Sequence, residues 1–376
     1  MQLTPADEYF THQTSLPHAM VATSDPSWRE RYWISVQDVA GGDTVLTIGF
    51  GKYPNTDVME AFVALSHAGT QRNLRLSRTL LPRSTEMAVG PLSVEVVEPL
   101  RHLKLRCDDT SGPDATGISF DIDWKARTEP LLEGRFFQIS RARVTYDAIR
   151  YVQHGRASGT LKAPGLDATL TEDTWWGERD HSWGTRPLPR APGMPPGERP
   201  EWRMLLFAPI QLPDFGLHLY LQEAPGGRAV HLSAGLTPLI GEDPEPEAIV
   251  SVEHDLEWVA GAPAPTLSGG TVVLHLSDKR SLEFGLRTLP GRAHLRGGGY
   301  EGWNGWFQGQ WRGDDTAESD VWDLTDAAQI YRYAKAGSDH LVEVTHNGQT
   351  GYGIVEYMVL PGYHRYPEAL PPRRES

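Results

Sequence analysis

Cysteine is almost absent from this chain, and its scarcity removes two kinds of architecture at once. The single thiol, Cys107, cannot form an internal disulfide and belongs to no metal-ligand spacing. It stands in His102-Leu103-Lys104-Leu105-Arg106-Cys107, which reads as a strand, and is expected to be a packing residue. Long apolar runs are missing too: no stretch approaches the ~20 residues a membrane helix needs. The first residues, Met1 to Glu8, carry neither the basic segment nor the apolar run of a secretory signal. The expectation is a cytoplasmic protein with no stable membrane insertion. Positive charge is short as well. With 35 Lys and Arg against 49 Asp and Glu, the formal net charge is -14, and without a basic stripe no nucleic-acid groove is expected. That charge suits a neutral or cationic ligand, or simply solubility. The 14 His show no paired spacing with a third ligand, so no metal is expected. Neither a Gly-x-Ser-x-Gly elbow nor a phosphate-cradling loop occurs, and no cofactor is expected. Gly297-Gly298-Gly299 precedes Tyr300 without the Lys or helix start such a loop requires.

What the chain has is alternation. Ile118-Ser119-Phe120-Asp121-Ile122-Asp123-Trp124-Lys125 places its apolar residues on one face and its polar residues on the other. Tyr32, Ile34 and Val36 alternate with Trp33, Ser35 and Gln37, and Leu282, Phe284 and Leu286 alternate with Glu283, Gly285 and Arg287. Asn347-Gly348 stands between two strand-like runs, the strongest short-range hairpin signal, and Gly41-Gly42 and Gly226-Gly227 fit other hairpins. The 38 Gly and 29 Pro are spread out, as many turns between short strands require. Helical periodicity is scarce: a short helix is expected around Asp57 to Ala64, and a turn and a half from Asp323 to Gln329. The pattern is that of an all-β sandwich or barrel.

A chain of 376 residues exceeds what one core usually serves, so two domains are expected, with one large β domain as the alternative. The span Thr185 to Pro200 contains six prolines, which cannot donate to a ladder, and reads as an extended connection near mid-chain. The expected division is 1–186, a linker at 187–200, and 201–376. Gly241 to Glu247 reads as a solvated loop and Pro371 to Ser376 as a frayed tail.

Chemistry is densest just before that linker. Thr174-Trp175-Trp176-Gly177-Glu178-Arg179-Asp180-His181-Ser182-Trp183-Gly184-Thr185-Arg186 gathers three Trp, two acids, a His and two Arg. Groups so large and so polar predict a buried network, in which Asp180 orients His181 while Arg179 or Arg186 compensates the carboxylates. An Asp–His pair supplies an acid or base, and Trp faces stabilise a developing cation. Two readings compete: a catalytic centre, or an architectural lock fastening one half to the other. Trp175 and Trp176 can equally be packing residues. A second aromatic cluster, Gly302-Trp303-Asn304-Gly305-Trp306-Phe307, alternates Gly with rings and fits either a cavity wall or a strand pair with glycine bends.

The run Arg179-Asp180-His181-Ser182-Trp183-Gly184 resembles the signature of the hydroxyneurosporene synthase (carotenoid 1,2-hydratase)-like family of tandem lipocalin-type proteins, which includes fungal cyclases and Diels–Alder catalysts. Trp28 to Trp33 and Gly351 to Tyr357 are also similar to its members. The resemblance implies two lipocalin-like antiparallel β-barrel halves packed together and a hydrophobic, isoprenoid or polyene ligand. His181 and Trp183 match a His-x-Trp pair of the hydratase pattern. Its Tyr-x-Asp pair corresponds to Tyr220-Leu221-Gln222, so Gln222 stands where the hydratase has an acid. An amide cannot protonate an alkene, and any proton must come from Asp180, Glu178 or His181. The strand Leu217 to Gln222 puts His218, Tyr220 and Gln222 on one face.

Three functions remain open: acid-initiated hydration, cyclisation or isomerisation of an apolar olefin, with Tyr220 and Gln222 placing substrate or water; a pericyclase that folds a polyene, with Arg179 or Gln222 as donor; or a non-catalytic carrier. One dominant apolar pocket is expected, with His181, Asp180 or Tyr220 among its few polar groups. Trp303 and Trp306 are expected to face it from the second half.

Overall fold

The computed structural model describes residues 14–140, 143–187, 201–243 and 247–370. Most of the linker expected at 187–200, part of the loop at 241–247 and the tail from Pro371 lie outside these residues.

The chain folds into two antiparallel sheets, a nearly closed barrel and a half-barrel, as a lipocalin-like all-β protein in two halves. The first sheet is built around three long neighbours. The opening strand, Trp28–Asp38, pairs with the motif strand, Trp175–Thr185, which pairs in turn with the 21-residue strand Arg143–Ala163. On one side the sheet continues through Val45–Tyr53, Val58–His67 and Thr70–Thr79. On the other it continues through Ile118–Ala126, His102–Asp109 and Leu92–Glu98. The second sheet runs from Ala229–Pro238 through Phe215–Glu223, Met204–Gln211, Gln349–Val359, Ser338–His346, Ser281–His294 and Leu267–Leu276 to Ile249–Trp258.

Alternation becomes two cores. Ile34, Val36, Ile48, Leu105 and Trp124 fill the first barrel, and Cys107 packs among them on its strand. Leu206, Leu219, Leu274 and Val344 fill the second half, where Tyr363, Tyr366 and Ala369 from the C-terminal segment join them. Full burial of each such side chain contributes about 1.5–3 kcal/mol. A third cluster, with Trp33, Val152, Phe207, Leu341 and Ile354, joins the halves. The Asn347-Gly348 turn forms as its sequence predicts: φ values of 48° and 79° join strands whose last rung is His346 to Gln349.

The helix expected at Asp57 to Ala64 is instead the strand Val58–His67. Its inward residues Met59, Ala61 and Val63 face the first core, and its outward residues are buried too, because the second half reaches over them. A strand covered on both faces loses its alternation and cannot be told from a helix by period. Gly298 lies against the Phe62 ring, where a Cβ would come within 2.6 Å, and the backbone N–H of Gly309 donates to Glu60 at 2.7 Å. The strand Thr316–Asp323 then pairs along Thr70–Thr79, so the second half contributes one strand to the first sheet. Among the described residues the only α-helix is Ala327–Tyr333, capped by Asp326, which overlaps the short turn expected there.

Candidate functional site

Residues directly opposite on antiparallel strands share a face. His181 stands opposite Tyr32 on the opening strand and opposite Tyr151 on the long strand. The three rings therefore meet at one end of the first barrel. Tyr32 meets the imidazole edge-on at 4.4 Å between ring centres, and Tyr151 and Trp183 lie at 5.3 Å. Two hydrogen bonds fix the imidazole: Nε2 lies 2.9 Å from Glu30 Oε1, and Nδ1 lies 3.3 Å from the Tyr151 hydroxyl.

Glu30, Tyr32 and His181 border a cavity of about 230 Å³. Tyr32, Phe50, Met59 and Met87 give it apolar walls, and Glu30, Arg31, Lys52, Ser84, Thr85 and His181 complete its border. Burial pushes the Glu30 carboxyl up, but the hydrogen bond and charge of His181, with Lys52 and His18, outweigh it and hold it below the usual carboxylate range. Burial pushes the Tyr32 phenol up to about 12 and, as the largest effect, raises Tyr151 as well. Glu30 is thus an acceptor and Tyr151 a donor. With one proton on the ring, the matching tautomer donates from Nε2 to Glu30 and leaves Nδ1 to accept from Tyr151. Deeper on the same face, the buried guanidinium of Arg179 donates twice to Gln153 Oε1, at 3.1 and 2.7 Å, and lies 5.1 Å from the Trp124 ring.

The motif strand's other face looks into the seam between the halves. Glu178 is fully buried and accepts from Gln37 at 2.6 Å and from Gln211 of the second half at 2.9 Å, and burial pushes its carboxyl up to about 7. Burial also raises Asp180, whose partner is Arg150 at 3.5 Å. Arg150 donates to Glu133 at 2.7 Å, and the same carboxylate oxygen holds His218 of the second half at 2.6 Å. Burial alone would raise Glu133; Arg150 and the hydrogen bond from His218 hold it at about 2. The Arg150 guanidinium lies 4.5 Å from the Phe207 ring and 4.7 Å from the Tyr220 ring.

Asp180 therefore does not orient His181. Consecutive strand residues point to opposite faces, and the carboxylate on His181 is Glu30. Nor do Arg179 and Arg186 answer the motif's acids directly: Arg150 pairs with Asp180, and Arg186 reaches the Ser182 hydroxyl at 3.4 Å. His218, Tyr220 and Gln222 share a face as their alternation predicts, but that face is the seam, where Gln222 donates to the Tyr220 hydroxyl at 2.7 Å. The sheet itself separates them from the cavity. Trp175 packs in the first core and Trp176 lies under Arg156 at 3.5 Å. Trp303 and Trp306 face neither cavity nor seam. Trp303 donates to Asp320 at 2.7 Å and packs on Trp322, while Trp306 is buried beside it, in the segment that covers the outside of the first barrel.

A second, larger cavity of about 380 Å³ is bordered by Arg296, Glu301, Asn304 and Lys335, so the expectation of one dominant apolar pocket is corrected. The residues that sequence reasoning missed are Glu30, Tyr32, Tyr151, Lys52 and Ser84. Alternation within Trp28 to Trp33 could have paired Glu30 with Tyr32. Among the described residues no cluster of His, Cys, Asp or Glu could hold a metal ion, and no helix is long and apolar enough to cross a membrane.

Residues 3–366 match a family of unknown function (DUF8625). The chain belongs to that family. A protein assigned as AttH from Nitrosomonas europaea shares the fold of this DUF8625 member, with a TM-score of 0.54 at 15% identity over 97% of this chain and 100% of that one. Crystal structures of CghA, one of them with Sch210972, are similar at a TM-score of 0.49 and 12% identity over 90% of each chain. Kievitone hydratase from Nectria haematococca is similar at 0.45 and 12% over 88% of each chain. No curated protein sequence matches the chain.

Proposed function

We propose that this protein is a cofactor-independent enzyme that takes one end of a hydrophobic isoprenoid- or polyene-like olefin into the mouth of its first barrel. His181 moves the proton. One observation carries the reading: an imidazole held between a carboxylate acceptor and a phenol donor in the wall of a small, partly apolar cavity. The motif's resemblance to carotenoid hydratases supports the same substrate class. At about 230 Å³ the cavity is smaller than the roughly 300–1,000 Å³ of sites that enclose a whole drug-sized ligand. The rest of an extended molecule would lie outside it.

The acid available narrows the chemistry. An imidazolium is too weak to protonate an isolated alkene, and the carboxyls that burial raises, Glu178 and Asp180, lie on the wrong face of the strand. An olefin conjugated to a carbonyl needs less. His181 takes a proton from the water that adds at the far olefinic carbon, then returns a proton to the carbon beside the carbonyl, a net hydration. The same two transfers between substrate carbons, without water, give isomerisation or set up ring closure. Glu30 stabilises the imidazolium through Nε2–H, and Nδ1 exchanges its 3.3 Å hydrogen bond from Tyr151 for the water whose proton it takes. The test is pseudoionone, an acyclic isoprenoid dienone, followed by mass spectrometry for a gain of one water or an isomeric product. His181→Gln should lose about 100-fold or more in rate while still quenching in a binding titration. Binding without turnover by the wild type would support a carrier, and turnover unaffected by His181→Gln would overturn the assignment.

A further inference from the structure

Ser84 lies in the loop after Thr70–Thr79 and borders the same cavity. Its side chain is buried, 3% exposed, yet its hydroxyl has no hydrogen-bond partner. A buried hydroxyl left unsatisfied costs about 1–3 kcal/mol, so native proteins rarely leave one without a reason. Lys52 borders the cavity as well, opposite Glu30 on the neighbouring strand, and holds no carboxylate in an ion pair among the described residues. Ser84 and Lys52 thus border the same small space from two elements, alongside Phe50, Met59 and Met87. Neither is needed to hold His181, which Glu30 and Tyr151 already fix.

We infer that Ser84 and Lys52 form an oxygen-binding subsite, so that the ligand is an apolar molecule bearing a carbonyl oxygen, seated on these two donors. This rests on the proposed function and names the substrate class of its site. The Ser84 hydroxyl donates one hydrogen bond to the carbonyl oxygen and the Lys52 ammonium a second. As hydroxide adds to the far olefinic carbon, the electron pair of the C=C bond shifts towards the carbonyl and negative charge grows on the seated oxygen. Donors already in place stabilise that enolate without reorganising. The enolate then collapses as the α carbon takes the proton from His181, and the carbonyl is restored. Nothing is oxidised or reduced.

Matched probes separate the oxygen from the hydrocarbon. Pseudoionone carries the ketone; alloocimene, a conjugated triene of similar shape, carries no oxygen. Quenching of intrinsic Trp fluorescence should show wild type binding the ketone about tenfold more tightly. Ser84→Ala should erase that preference, lowering ketone affinity about tenfold and leaving alloocimene unchanged, and Lys52→Met should move affinity in the same direction. The infrared C=O stretch of bound ketone should lie lower in wild type than in Ser84→Ala, which a packing role would not produce. A Ser84→Ala variant that keeps the ketone preference and the same stretch overturns the subsite and leaves the His181 assignment standing. Equal weakening of both ligands also overturns it, because that is the mark of packing alone. If wild type binds neither probe, the cavity is not an olefin site and both readings fall.

Discussion

The two faces of the motif strand use the same residue types to opposite ends. On the seam face, Glu178 and Asp180 point at the second half and spend their oxygens on Gln37, Gln211 and Arg150. On the barrel face, Arg179, His181 and Trp183 stand one residue out of step, and His181 is partly exposed, at 18%. In the seam these two acids are held by amides and a guanidinium group from both halves. The pocket keeps a partly open imidazole and an unanswered hydroxyl. A dense charged motif is therefore two structures in one strand, a lock and a site, divided by the two-residue period of the strand. Under the proposed function, the architectural and catalytic readings of this motif apply to alternate residues.

The strongest way to break the comparison is to unlock the seam. Arg150→Met leaves the buried Glu133 and Asp180 without their shared cation, and losing one partner of a buried pair costs about 3–5 kcal/mol. Urea denaturation should show that loss. A variant as stable as wild type would mean that Arg150 is not part of a lock.

Next comes pH, through Glu178. Burial raises its carboxyl from the ordinary 4.5 to about 7 in the folded protein. Between those two values the folded chain holds a proton that the unfolded chain has released, so stability from this group is full below about 4.5 and falls as pH rises towards 7. At about 1.4 kcal/mol per pKa unit, the fall is on the order of 3 kcal/mol. Glu178→Gln cannot ionise and removes that slope. Its stability relative to wild type should improve from pH 5 to pH 8 in denaturant titrations. A difference independent of pH would show that Glu178 is not desolvated in the seam.

Much of this was legible in the sequence. The alternation of Leu217 to Gln222 predicted its two faces, and Asn347-Gly348 predicted its hairpin. The site was not, because its partners meet through register rather than proximity. Glu30 and His181 lie 151 positions apart, and Tyr151 lies 30 from His181. Asp180 looked like the orienting group because it is adjacent in sequence, although adjacency in a strand means opposite faces. Ser84 sits in a loop with no pattern to mark it. The Trp303 cluster misled for another reason: the flanking Gly298 and Gly309 fit its segment against Phe62 and Tyr53 on the outside of the first barrel.

The smallest expected effect is the sharpest test, because it compares neighbours. Asp180→Asn removes the charge that answers Arg150 inside the seam, and His181→Gln changes the next residue on the opposite face. Asp180→Asn should cost about 1–3 kcal/mol, since a buried guanidinium loses one of its two carboxylates and keeps only Glu133. His181→Gln should cost within about 1 kcal/mol. Its side chain is partly exposed, water can replace a lost partner, and the glutamine amide can still donate to Glu30. The denaturant slope m should not change in either variant, because both keep the same buried core. If His181→Gln instead destabilises the protein as much as Asp180→Asn, the pocket face carries the same structural burden as the seam. The division of the motif into lock and site would then fail at the residue on which it depends.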